Sequence, residues 1–120
     1  MPSSTWIFAI TIGLLVADSA LAGEIQFNRQ IRPILSENCF ACHGPDKANR
    51  KSGLRLDVRE LAVAPAESGD SAIVPGVLQK SVLVERVLSD DADETMPPPS
   101  SHKRLTAAQK EMLKRWVAAG

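Results

Sequence analysis

The chain has 120 residues, with 14 basic and 14 acidic side chains and a formal net charge of zero. This length suits a single domain, and the balanced charge argues against nucleic acid as the main partner, because phosphate binding needs a dense basic surface. Hydrophobic residues make up 44% of the chain but aromatic residues only 4%. A folded protein is therefore expected, but one short of the large side chains that usually supply buried area in a small core.

The first segment has the features of an export signal. Trp6 to Ala17 is a predominantly apolar run without charged residues, shorter than the roughly 20 residues that a transmembrane helix needs. Residues 20–22 (Ala-Leu-Ala) supply the small-x-small pattern of a cleavage site, although no Lys or Arg precedes the apolar run. We expect residues 1–22 to be a signal peptide and residues 23–120 to form the mature domain. A buried N-terminal helix is the alternative.

The mature part is predicted to be all-α, with about four short helices joined by long loops. Apolar spacing, prolines and glycines place the helices at about residues 30–41, 57–63, 81–88 and 106–120. Asp57 and Glu60 have the spacing of a capping box, as do Thr106 and Gln109. Because the third predicted helix contains β-branched residues, a strand is the alternative for that segment. Loops that long in so small a domain need a central group to pack against.

The end of the first predicted helix carries the strongest chemical signal. Cys39-Phe40-Ala41-Cys42-His43 is a C-x-x-C-H sequence, the attachment pattern of c-type haem. Residues three apart face the same side of a helical turn, so two thiols can reach two vinyl groups of one porphyrin, and the histidine can lie beneath the iron. A redox dithiol, a zinc site and a plain disulfide are the alternatives. The first lacks its βαβ context, the second lacks further ligands, and the third gives the histidine no role.

A second iron ligand is expected from the loop before the last helix. Met96 lies between acidic residues and a run of three prolines. A thioether is a soft axial ligand that raises the potential of a His-ligated haem, and the prolines stiffen the loop that would hold it. His102, six residues on, is the rival ligand, and an open or water-bound iron is the third possibility.

Other polar residues give weaker signals. Guanidinium groups bind carboxylates in a bidentate fashion, so three arginines are candidates for the haem propionates, each of which could equally be a solvated surface charge. An acidic cluster could bind Ca²⁺ or a basic partner, but a solvated loop is the simpler interpretation. Trp116 is expected to pack against the ring edge or the first helix. The arginines are Arg50, Arg55 and Arg59, and the acidic residues are Asp90, Asp91, Asp93 and Glu94.

These motifs together resemble class I cytochrome c and, more narrowly, the planctomycete-type cytochrome c domain. The matching stretches are residues 27–46, 53–60, 69–76, 96–99 and 113–120. The resemblance implies Cys39 and Cys42 as thioether sites, His43 as the proximal ligand and Met96 as the distal ligand. It also implies a carbonyl acceptor for the proximal histidine, which we expect near Gly53.

The resemblance implies a mono-haem protein that transfers single electrons, with one covalently attached haem c and no catalytic residues. Its partners are expected to be redox proteins, with no nucleic acid and no membrane span once the signal is removed. Family members usually carry this module within longer chains, so the haem domain of a larger redox enzyme, or a haem sensor for small ligands, is the alternative function.

The shortage of aromatic residues becomes a prediction about folding. A covalently held macrocycle would replace the missing aromatic side chains in the core, and the haem-free chain should be largely unfolded. The residues expected to pack on or near the macrocycle are Leu35, Leu56, Leu88, Met112, Leu113 and Trp116.

Overall fold

The structure is a computed structural model that describes residues 23–120; the predicted signal peptide, residues 1–22, lies outside the described residues. Four α-helices make up most of its regular structure: α1 (Arg32–Asn38), α2 (Arg59–Ala62), α3 (Val82–Leu88) and α4 (Ala107–Ala119). The described range contains no strand, only one isolated bridge between Pro65 and Ser71. The expected all-α class is therefore confirmed. Between residues 23 and 120 no helix has the length and apolar character needed to cross a membrane.

The first helix is shorter than predicted and is preceded by a π-helical turn, Phe27–Ile31. Pro33 lies in the first turn of α1, where its missing N–H costs no hydrogen bond. The helix ends at Asn38, not near Ala41, because the amides of Cys39 and Phe40 both donate to the carbonyl of Leu35, at 2.8 and 3.0 Å. This shared acceptor stops the regular i to i+4 pattern.

The second helix forms where it was expected, but the predicted capping box is wrong. The residue preceding α2 is Val58, and no side chain caps the helix. Asp57 accepts hydrogen bonds from Arg55 instead, at 3.0 Å from Nε and 2.5 Å from Nη2. A bidentate guanidinium two residues away is a stronger partner for the carboxylate than a single backbone amide.

The last two helices agree closely with the sequence. The segment expected to be helix or strand is α3, so the helical choice is confirmed. At the start of α4, the amide of Gln109 donates to the Thr106 hydroxyl at 3.1 Å, and the amide of Thr106 donates to Oε1 of Gln109 at 2.9 Å. The predicted capping box is thus present in full. Gly120 ends the helix with φ +77°, in the left-handed conformation that glycine favours.

The core is built from aliphatic side chains. Every buried hydrophobic residue in the described range is Ala, Ile, Leu or Val; the most deeply buried are Ile31, Leu35, Leu113 and Val117. Aromatic residues lie at its edge. The ring centroids of Phe27 and Trp116 are 5.6 Å apart and the rings are inclined at 38°, which joins the π-helical turn to α4. Trp116 thus packs on the turn that precedes the first helix, which was one of its two expected partners.

The residues expected to pack near a macrocycle differ in exposure. Leu35, Leu56 and Leu113 are buried, Met112 and Trp116 are partly buried against the core, and Leu88 at the end of α3 is 45% exposed. Three of the six thus belong to the aliphatic core, while Leu88 lies outside it.

Candidate haem-attachment site

The C-x-x-C-H sequence forms one tight turn directly after α1. The amides of Cys42 and His43 both donate to the carbonyl of Cys39, at 3.2 and 2.8 Å. These are the i to i+3 and i to i+4 bonds of a single helical turn. The turn therefore brings Cys39, Cys42 and His43 together, as their spacing predicts.

The two cysteines remain free thiols, with no disulfide between them. Cys39 packs against the hydrophobic core, and burial raises the pKa of its thiol to about 11, against an opposing effect of the Lys103 charge. Cys39 is therefore a protonated thiol at neutral pH, not the thiolate of a reactive redox pair. Within residues 23–120, no group of three or more His, Cys, Asp or Glu side chains is placed to hold a metal ion.

His43 is partly buried, and its Nδ1 is the one buried side-chain polar atom without a hydrogen-bond partner in the described range. Burial lowers the pKa of His43, while the backbone of Lys51 acts on the ring in the opposite direction. The imidazole is therefore neutral at pH 7, which is the form that binds a metal. A buried nitrogen facing the protein leaves the other ring nitrogen as the candidate ligand.

Residues 50–56 hold the backbone of this turn from outside. The amide of Lys51 donates to the carbonyl of Cys42, and the amide of Leu56 donates to that of His43, both at 2.8 Å. Arg50 donates from Nε to the carbonyl of Gly44 at 3.0 Å. The backbone of Lys51 acts on the pKa of His43, but Nδ1 makes no hydrogen bond, so the carbonyl acceptor expected near Gly53 stays a prediction.

Gly44 is a further residue of this site, and the sequence analysis did not single it out. It is buried directly after His43, and a Cβ there would lie 2.3 Å from the carbonyl oxygen of Phe40. Backbone atoms cannot give way to such a contact as a flexible side chain can, so only glycine fits. Its position immediately after the motif is the sequence feature that could have indicated its role.

Met96 lies in a separate loop between α3 and α4. Its amide donates to the carbonyl of Arg86 in α3 at 3.0 Å, and a cis peptide bond joins it to Pro97. Together with Asp90, Lys103 and Lys110, it lines a cavity of about 280 Å³. None of Cys39, Cys42 and His43 lines that cavity, whereas Lys103, which does, contacts the backbone of Glu37 just before Cys39. The pairing of Met96 with His43 as iron ligands therefore stays a prediction. The rival ligand, His102, is exposed, with a left-handed φ of +56°.

The arginines considered for the propionates are differently placed. Arg50 binds the carbonyls of Gly44 and Pro45, and Arg55 is paired with Asp57. Arg59 is exposed on α2. Two of the three guanidinium groups are therefore already engaged by the protein itself.

The residues present fit a covalently attached haem. Two free thiols and an imidazole share one turn, the imidazole keeps a buried Nδ1 that lacks a partner, and a thioether lies in a loop stiffened by prolines. Sulfur and imidazole donors are those that haem iron takes in c-type proteins. The class that this helical domain and its donor set define is that of c-type cytochromes.

Comparison with known families agrees with this class. Residues 39–100 match the family described as Planctomycete cytochrome C, and the chain belongs to that family. The match begins at Cys39 and includes Met96. Membership implies covalently bound haem c and a haem-based role in electron transfer. No curated protein and no solved structure matches the chain.

Proposed function

We propose that this chain is an exported mono-haem c-type cytochrome that transfers single electrons. Residues 1–22 would be its signal peptide, and residues 23–120 would wrap around one covalently attached haem c. The observation that carries the proposal is the Cys39–His43 turn, whose two backbone hydrogen bonds converge on the Cys39 carbonyl within the span of the family match.

Each residue of the proposed site has a distinct task. Cys39 and Cys42 hold the macrocycle through thioether bonds, and His43 binds the iron through Nε2, since its Nδ1 is the buried ring nitrogen. Met96 would be the second protein ligand of the iron, and its thioether would raise the reduction potential. Bound haem supplies a reversible one-electron couple. With His43 and Met96 both bound, the iron would have no open position for a substrate, and the chain would act as a carrier and not as an enzyme.

The proposed location and partners follow from the export signal. A signal peptide ending at Ala22 would deliver the domain to the periplasm or elsewhere outside the cytoplasm. Partners would be redox proteins that approach the exposed ring edge. A zero formal net charge favours protein partners over nucleic acid.

Carbon monoxide binding tests whether the iron has a free position. The reduced protein, purified with its haem attached, should bind carbon monoxide slowly and weakly at neutral pH, because Met96 must leave first. Met96→Ala should bind it rapidly and should have a lower reduction potential and an altered visible spectrum. Leu61→Ala, at an exposed position of α2, is the control and should behave as wild type.

Two results would reject parts of this proposal. Rapid carbon monoxide binding by the wild-type protein would favour a small-ligand sensor or the haem domain of a larger enzyme. An unchanged potential and spectrum in Met96→Ala would remove Met96 as the distal ligand and return His102 to consideration.

A further inference from the structure

We propose that Lys103 positions the Met96 loop by binding the C-terminal end of α1, an inference that rests on the proposed haem ligation. Nζ of Lys103 donates to the backbone carbonyl of Glu37, two residues before Cys39. The two residues are 66 positions apart in sequence. This contact joins the segment that would carry the distal ligand to the helix that carries the attachment turn.

The α1 end of this contact suits a cation. The last carbonyls of a helix have no intrahelical partner, and the helix dipole places partial negative charge there, which favours lysine. The Lys103 charge also acts on the neighbouring Cys39 thiol, whose pKa it lowers against the larger effect of burial. Lys103 therefore lies close to the attachment turn as well as to the helix end.

The other end of the contact is a compact segment. The amide of Lys103 donates to Oγ of Ser101 at 3.2 Å, and that hydroxyl donates to the carbonyl of Pro98 at 2.7 Å. The Ser101 amide donates to the same Pro98 carbonyl at 2.9 Å. Hydrogen bonds thus link Pro98, Ser101 and Lys103, so that fixing Lys103 also restrains the prolines that follow Met96.

The Met96 loop consequently has an anchor on each of two helices. The first, on α3, consists of the hydrogen bond from the Met96 amide to the carbonyl of Arg86 and the bond from Arg86 Nη1 to the carbonyl of Glu94 at 3.3 Å. The second is the bond from Lys103 to α1. Met96 and Lys103 line the same cavity, so loosening the second anchor gives the methionine more freedom to move. Lys103 is in this sense a positioning residue, acting through the loop and not on the iron.

Displacement of Met96 by added imidazole measures this restraint. In the ferric protein with its haem attached, Lys103→Gln should raise the imidazole affinity about two- to fivefold, the range expected for losing one cation at a helix end. The Ser101 amide should exchange with deuterium faster by a similar factor. Lys103→Arg can still donate to the carbonyl and should restore both values.

Arg104→Gln is the matched control. Arg104 is exposed, lines the same cavity and carries the same charge, but its guanidinium makes no hydrogen bond to α1. It should leave imidazole affinity and Ser101 exchange unchanged. Equal effects of the Lys103 and Arg104 substitutions would mean that the loss of a positive charge, and not the contact with α1, causes the change, and this would overturn the proposal. The absence of any effect of Lys103→Gln would overturn it as well.

Failure of the proposed ligation would look different. If wild type and Met96→Ala bind imidazole equally well, Met96 is not the distal ligand, and Lys103 cannot position one. Ser101 exchange would then still report whether Lys103 holds the loop on α1, so the two failures are distinguishable.

Discussion

Gly44 follows the Cys39–His43 turn directly, and a Cβ at this position would lie 2.3 Å from the carbonyl oxygen of Phe40. Its carbonyl also accepts a hydrogen bond from Arg50. The residue after His43 is thus fixed by backbone atoms on one side and by a guanidinium on the other.

Gly44→Ala is expected to destabilise the protein by about 1–3 kcal/mol, the usual cost of forcing an extra carbon into a packed site. The turn that presents His43 must shift to accept it, so the yield of haem-loaded protein should also fall. Urea unfolding of the purified protein measures the first effect. Gly23→Ala is the control, because a Cβ at Gly23 meets nothing within 4 Å; equal stabilities of the two variants would contradict the packing argument.

Single residues also show where sequence reasoning stops. The Cys39-x-x-Cys42-His43 motif and Met96 could be proposed as a site from the sequence because the expected chemistry depends on residue type and local spacing. Lys51 and Lys103 could not, since the first acts through its backbone and the second reaches Glu37 across 66 residues. Contacts of that kind exist only once the loops have taken their paths.

At the scale of elements, α4 was predicted almost completely because its signals are local. Both hydrogen bonds of its capping box are present, and each depends on residues only three apart. The helix α1 ends earlier than predicted and α2 lacks its expected cap for a common reason: another hydrogen-bond partner competes for the group that the prediction relied on. Leu35 accepts from two successive amides, and Asp57 is taken by Arg55.

Thr106→Ala should cost about 1 kcal/mol of stability, because it removes the side-chain acceptor of the capping box. Thermal or urea unfolding would detect the loss, whereas Thr106→Ser keeps the hydroxyl and should lose much less. A similar loss in both variants would mean that the methyl group of Thr106, and not its cap, is what stabilises α4.

The Arg55–Asp57 pair predicts a pH dependence of stability. Hydrogen bonding to Arg55 lowers the pKa of Asp57 below its ordinary value, which is about 3.9 in an unfolded chain. The pair therefore stabilises the fold at neutral pH, and this contribution is lost as the pH falls below about 4 through the lowered pKa.

A double-mutant cycle with Arg55→Gln and Asp57→Asn measures that contribution directly. The coupling between the two substitutions should be present at pH 7 and should vanish in strong acid. Coupling that is independent of pH would show that the two side chains interact through packing and not through charge.

At the scale of the whole molecule, the sequence predicted a domain short of aromatic core residues. In the described range the buried hydrophobic residues are all aliphatic, and Phe27 and Trp116 pair at the edge of the core. So small a core is near the lower limit for independent stability. The all-α class could be predicted from the pattern of apolar residues. The position of the haem could not, because that pattern carries no information about a bound group.

The haem-free chain, with both cysteines retained, is accordingly expected to be largely unfolded. Far-ultraviolet circular dichroism should show little helix before haem attachment and clear helix after it. A cooperative, native-like melt of the haem-free chain would mean that the aliphatic core suffices by itself.

Cys39 and Cys42 are proposed to bind one haem covalently, and the mass of the denatured chain shows whether they do. Protein produced with haem-maturation machinery should have the mass of residues 23–120 plus one haem, with neither thiol open to alkylation. The Cys39→Ser, Cys42→Ser double variant should have the mass of the chain alone. A wild-type chain without added mass and with two alkylated thiols would contradict the account.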